Sequence, residues 1–291
     1  MTSTSDGPGG RPRWLVPAFI AATCVLAVVV IVFAWVVGGP PRDMVALVVL
    51  GLLSIASWAV RVPLLARVSV AAGSIISLAS LVIVGPFATA LVSGVSMALE
   101  IGHRPVRVRV FNAAMSALCG AVGGLTYLLA GGPQDIDVLT GPVPLLVRVG
   151  LPLMVANLVQ SLLNFTLLGG IVWADRGTSY RRFVQSMLLT SGLAQIGYGV
   201  IGFLFVLLWE PARVGPFSAV LILMPLFVAR WAFVQYGDEQ RAHEQTVAAL
   251  VAAVEIRDPY AAGHSERVAR LSEQIGEQLG LGGGAITTLR Y

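Results

Sequence analysis

Few residues in this sequence are of a type and spacing that could do chemistry. Three carboxamides, Asn157, Gln160 and Asn164, recur at i, i+3 and i+7 inside an otherwise apolar run. On a helix that spacing sets them along one side, where they either hydrogen-bond to a neighbouring helix or line a ligand-binding face. Interhelical bonding, worth ~1 kcal/mol per contact, is the leading expectation, and a ligand face built from the three amides is the alternative. His264 stands alone ahead of an amphipathic segment. A neutral imidazole can ligate a metal, but one ligand does not make a site. His243 and Glu244 are not a zinc-protease pair, because Val247 occupies the position where the second His would fall. Cys24 and Cys119 lie in apolar runs and read as small buried hydrophobes without a redox role. No residue is assigned a catalytic role on spacing alone.

The elements that must position these residues follow from composition. Of 291 residues, 56% are apolar and only 12% are charged, about half the charged fraction of ordinary soluble domains, which is roughly 25%. A single water-soluble globule is excluded. High hydrophobicity excludes general disorder, two Cys exclude a disulfide scaffold, and 32 Gly without a triplet period exclude a collagen-like chain. The fold class expected is all-α, a polytopic helical membrane domain with a soluble helical region after it. Charge is uneven along the chain: residues 1–235 hold 21 of the 34 charged side chains, and the last 56 residues hold 13. That is a change of solvent, from bilayer to water.

Residues 1–13 are rich in Ser, Gly and Pro and read as a disordered cytoplasmic tail. Residues 14–37 carry no charge, enough at 1.5 Å per residue to exceed the roughly 30 Å hydrocarbon thickness, and form an uncleaved first span. Further apolar stretches at 44–60, 68–84, 87–101, 110–130, 145–173, 187–209 and 217–236 bring the expectation to about eight spans within a sensor-like membrane domain, 14–236. Gly85 and Pro86 divide the third and fourth stretches into pieces of 17 and 15 residues, so residues 68–101 are either two spans or a re-entrant hairpin. Both versions return the chain to its starting side.

The 19 basic residues are all Arg, and most lie in short segments between apolar stretches, the footprint of topology instead of nucleic-acid binding. With the N-terminus inside, ten Arg fall on inner connections: 11, 13, 61, 67, 104, 107, 109, 176, 181 and 182. Three, Arg42, Arg148 and Arg213, fall outside beside the acidic pair Asp135 and Asp137. The positive-inside bias puts both termini in the cytoplasm of a multi-pass plasma membrane protein whose obligatory partner is the lipid bilayer. Gly120, Gly123 and Gly124, and Gly192 and Gly199, read as close helix contacts.

After Tyr236 the sequence turns polar without a proline, and Val247, Leu250, Val251 and Val254 keep one apolar face. Residues 237–257 are expected to form a signalling helix whose 3 and 4 spacing suits a parallel coiled coil in a homodimer. Asp258-Pro259 ends it, and Val268, Leu271, Ile275 and Leu279 form the stripe of a second amphipathic helix, with Gly280 as its cap.

Across this junction, Arg257-Asp258-Pro259-Tyr260 followed by Gly263-His264-Ser265 and Arg267-Val268 resembles the opening of the HD-GYP phosphohydrolase family, over about residues 247–291. The resemblance implies a bacterial, all-helical, metal-dependent domain that hydrolyses cyclic di-GMP. It also implies that His264 is a ligand of a divalent metal pair, of iron or manganese type, in the completed domain. Residues 258–291 are then the start of that domain. The His-Asp doublet, later histidines and Gly-Tyr-Pro segment of the pattern do not occur in them, so no metal is expected on these residues and no hydrolysis from them. The expected function is the membrane sensor and regulatory portion of such a phosphodiesterase. The alternative is a small-molecule-binding or transport membrane domain with a regulatory cytoplasmic helix.

Overall fold

The structure, a computed structural model, describes residues 12, 14–59, 72–99, 105–136, 139, 141–210, 212–222, 224 and 264–279, with short pieces between 239 and 253. All regular structure among them is helical. The chain divides into two compact units, Met1–Arg230 and Trp231–Tyr291.

In the first unit the order is α1 (Leu15–Gly38), α2 (Met44–Ala59), α3 (Ala72–Ile83), α4 (Pro86–Ala98), α5 (Val106–Leu129), a short α6 (Pro142–Leu145), a π turn (Leu146–Gly150), α7 (Leu151–Arg176) and α8 (Tyr180–Trp209). Among the described residues four helices are long and apolar enough to cross a membrane: α1, α5, the continuous run Pro142–Arg176, and α8. Their ends follow local chemistry. Asp43 accepts hydrogen bonds from the backbone N–H groups of Val45 and Ala46, at 2.7 and 3.0 Å, and so caps α2. Gly177, at φ 71°, closes α7 in the left-handed conformation that a Cβ disfavours.

The helices do not bury equally. Over its most apolar window α5 is 61% buried and α1 only 17%, which puts α5 at the centre of the bundle and α1 at its edge. Outward faces are apolar: Leu189 and Leu193 of α8 are more than four-fifths exposed, and Val25, Val28, Val29 and Val32 of α1 are exposed too. Polar side chains face inward instead, with Ser77, Ser80, Thr89, Ser93, Asn112 and Asn157 all buried. Apolar outside and polar inside is the polarity that hydrocarbon selects. Hydroxyls in the bundle spend their proton locally, as Ser80 Oγ does on the Ile76 carbonyl at 2.7 Å and Thr126 Oγ1 on Val122 at 2.8 Å.

The third and fourth apolar stretches form a hairpin inside the bundle. Helix α4 has 13 residues between Gly85 and Leu99, rises only ~20 Å, and is joined to α3 by a turn at Gly85, whose φ of 89° suits glycine alone. Ten of the 12 residues of α3 are buried. Pro86, the first residue of α4, is held between two glycines. A Cβ at Gly38 would come within 2.9 Å of its ring, and one at Gly124 within 2.6 Å of its Cα. Trp35 meets Phe87 edge-on beside this contact, at 4.6 Å between centroids. So α1, α4 and α5 converge at one proline.

The expected stretches 110–130 and 187–209 begin later than their helices, because a charge-free run marks hydrocarbon whereas hydrogen bonding continues through the Arg-bearing turns. Of the expected eighth stretch, residues 217–222 and 224 are helical, and the rest lies outside the described residues. So do most of the 1–13 tail, residues 60–71 with Arg61 and Arg67, Arg104, and the 254–263 segment. Within 237–257 the described positions are helical.

The second unit contributes α9 (His264–Gln278). Its stripe is not covered: Val268, Leu271, Ile275 and Leu279 are all exposed.

Candidate functional site: a buried amide and hydroxyl network

The three carboxamides lie on α7, where the sequence spacing puts them, but they diverge. Asn157 is buried and faces α8, its Nδ2 donating to the Gln195 carbonyl oxygen at 2.7 Å. One turn on, Ser161 Oγ donates to Oε1 of the same Gln195 at 3.1 Å. Gln160 turns toward another neighbour, Nε2 donating to Ser77 Oγ on α3 at 3.4 Å. The Ser77 and Ser93 hydroxyls are 3.0 Å apart, which brings in α4. Asn164, half-buried, makes no hydrogen bond among the described residues. A turn of 3.6 residues accounts for the split, since i+3 lags i by about 60° and four helices crowd around α7.

The result is two small networks on neighbouring faces of α7, one reaching α8 and the other reaching α3 and through it α4. Glycines make both possible. A Cβ at Gly199 would fall 2.8 Å from Asn157 Nδ2, and one at Gly123 would fall 2.6 Å from Gln160 Oε1. That Oε1 is buried and accepts no hydrogen bond. Gly120 likewise lies against Thr89 and Ser93 of α4. Gly192 departs from its expected role: a Cβ there meets nothing within 4 Å, because it lies on an open part of α8. Sequence reasoning did not identify Gln195, Ser161, Ser77 or Ser93 as partners. Their signal was present as polar side chains inside apolar runs, and Gln195 in particular is a carboxamide within the α8 span.

His264 is on α9 and is exposed. Among the described residues no three His, Cys, Asp or Glu side chains converge as metal ligands. The residues present do not by themselves fit a metal pair, and no metal chemistry is assigned to them. Cys119 is buried and Cys24 half-buried, neither in a disulfide.

A separate cavity opens at the end of the bundle where α1 and α5 begin and α7 ends, with Val16, Arg107 and Arg176 among its walls. The opposite end is tied by Arg42, which bonds to Val82 of α3 and to Gln134 of the loop after α5. Arg107 and Arg176, two of the Arg that the sequence pattern groups on one side, both line that cavity. Compared with protein families, curated proteins and solved structures, the chain matches none.

Proposed function

We propose that the chain is the membrane-embedded input and regulatory portion of an HD-GYP-type cyclic di-GMP phosphodiesterase. About eight spans would lie in the bacterial plasma membrane with both termini cytoplasmic. The observation that carries the reading is the Arg257-Asp258-Pro259-Tyr260, Gly263-His264-Ser265 sequence, with His264 on an amphipathic helix. An imidazole on such a helix can serve a metal centre that activates water, provided other elements bring further ligands. The exposed Val268, Leu271, Ile275 and Leu279 face supports the same reading, since it is the surface a larger helical domain would cover. The amide networks on α7 supply the input side with helix-to-helix bonds whose rearrangement could be passed along the 237–257 helix of a homodimer.

The test begins with the DNA after the Tyr291 codon. A His-Asp doublet encoded in frame within about twenty residues is the expected result, since motif context decides motif value. A chain carrying those residues should hydrolyse cyclic di-GMP with added manganese or ferrous iron, and His264→Ala should lower the rate by at least about a hundredfold. An in-frame sequence without the doublet, or hydrolysis indifferent to His264, overturns the proposal.

A further inference from the structure

We propose that the cavity between the first turns of α1 and α5 and the last turns of α7 binds an anionic phospholipid of the bilayer. The phosphodiester would sit between Arg107 and Arg176, and one acyl chain would follow the apolar wall. This site goes beyond the phosphodiesterase reading and does not depend on it.

The cavity has two chemical zones. Val16 and Ile20 of α1, Phe111 of α5, and Leu168 and Ile171 of α7 make an apolar interior. Arg107, Arg176 and Asp175 stand at its edge, all exposed. A hydrocarbon pocket with a cationic rim at a span end matches an amphiphile with one anionic head.

Asn112 adds an observation that a surface charge pattern does not. It is a polar side chain within the cavity lining and is only 9% exposed. Its amide is reached from the cavity, so a ligand oxygen there could hydrogen-bond to it. A neutral lipid tail alone offers no such oxygen.

Charge and size narrow the ligand further. The Asp175 carboxylate lies 4.0 Å from the Arg176 guanidinium, so the three rim groups carry one net positive charge. That balances a monoanionic phosphodiester better than a dianionic phosphate. The volume, about 260 Å³, lies below the roughly 300 Å³ at which pockets begin to enclose drug-sized molecules. It would hold a headgroup phosphate and the first part of a chain. The remainder would continue along the exposed valines of α1, already a lipid-facing surface.

The experiment is native mass spectrometry of the intact chain, with phosphatidylglycerol, phosphatidylcholine and inorganic phosphate as probes. One retained phosphatidylglycerol per chain, and no equivalent phosphatidylcholine, is the expected result. Arg107→Gln and Arg176→Gln should each weaken its retention about fivefold, the effect of one cation on an anionic headgroup. Both residues are exposed, so these variants should keep the wild-type melting temperature. Asn112→Leu should also weaken phosphatidylglycerol, whereas in a purely apolar groove it would strengthen both lipids alike. The double variant Arg181→Gln, Arg182→Gln, just past α7 and outside the cavity lining, should leave the single retained lipid in place. Equal loss in that control shows diffuse electrostatic attraction and overturns the proposal. Equal retention of the two lipids, or displacement of the lipid by inorganic phosphate alone, overturns it too.

Discussion

The guanidinium of Arg42 donates from Nη1 to the carbonyl oxygen of Val82 at 3.0 Å, and the same nitrogen reaches the Gln134 carbonyl at 2.6 Å. One side chain in the connection between α1 and α2 thus satisfies the last turn of α3, where the helix dipole presents partial negative charge, and anchors the loop after α5. Burial pushes the pKa of Arg42 below its ordinary value, and Tyr127, Glu210 and Asp135 partly offset this. A base with a lowered folded pKa is least favourable at pH values below that pKa, so this penalty is constant wherever the guanidinium stays charged, which includes every working pH. Arg42→Met should therefore destabilise the protein by ~2 kcal/mol, with two carbonyls left unpaired, and by the same amount at pH 5 and pH 9. Thermal unfolding in nanodiscs at both pH values measures this, and a pH-dependent loss would contradict it.

The contact of Gly124 with Pro86 predicts a sharp contrast between two glycines. Gly124→Val puts a Cβ against the Pro86 backbone and should destabilise by ~1 to 3 kcal/mol, as overpacking generally does. Gly192→Val, which points into open space, should change stability by less than about 0.5 kcal/mol. Paired melting curves decide it, and equal effects would show that the α4 and α5 packing described above is wrong.

On α7, Ser161 and Gln195 should couple whereas Asn164 should not. A double-mutant cycle of Ser161→Ala with Gln195→Leu should return a coupling of about 0.6 kcal/mol, with ~1.7 as the upper range for such bonds in membranes. Asn164→Leu should be neutral or stabilising, since no bond is lost. A coupling near zero for the first pair, or a large loss at Asn164, would refute the assignment of the networks.

The Arg distribution makes a prediction about sidedness. A reporter joined after Ile136 should lie outside the cytoplasm and one joined after Arg107 inside it, because Arg107 is in the first turn of α5, where the Arg excess lies, and Ile136 follows its other end. Opposite results at both sites would reverse the topology.

How far the sequence alone reaches differs from helix to helix. Long charge-free runs locate α1, α5, α7 and α8 closely, since length and hydropathy are what a bilayer demands of a lipid-facing span. Length marks the α3 and α4 stretches as short, but hydropathy does not show that they are buried, because protein-facing and lipid-facing surfaces are equally apolar. The Ser content of those two helices was the better signal, and it reads as burial only once the helices around them are known. Asn157 was visible as a polar residue, but its acceptor, a main-chain carbonyl of Gln195, has no sequence signature. Arg107, Asn112 and Arg176 come together only through helix docking, so no local spacing announces their cavity. His264, by contrast, lies on the amphipathic helix that the 3 and 4 spacing of Val268, Leu271, Ile275 and Leu279 announces.

The hairpin with Gly85 at its tip bears on how the protein is made. Helix α4, which ends at Gly85 on one side and Leu99 on the other, rises ~20 Å and cannot on its own cross a hydrocarbon layer of about 30 Å, and α3 without its neighbours would leave the Val82 carbonyl without a donor. Arg42, which supplies that donor, is translated earlier, and the α5 glycine that seats Pro86 is translated later. The hairpin therefore has no stable place in the bilayer until helices on both sides of it in the chain have been delivered. Biogenesis must then proceed by holding α3 and α4 beside the insertion machinery, or in a chaperone's keeping, until α5 arrives to close over them.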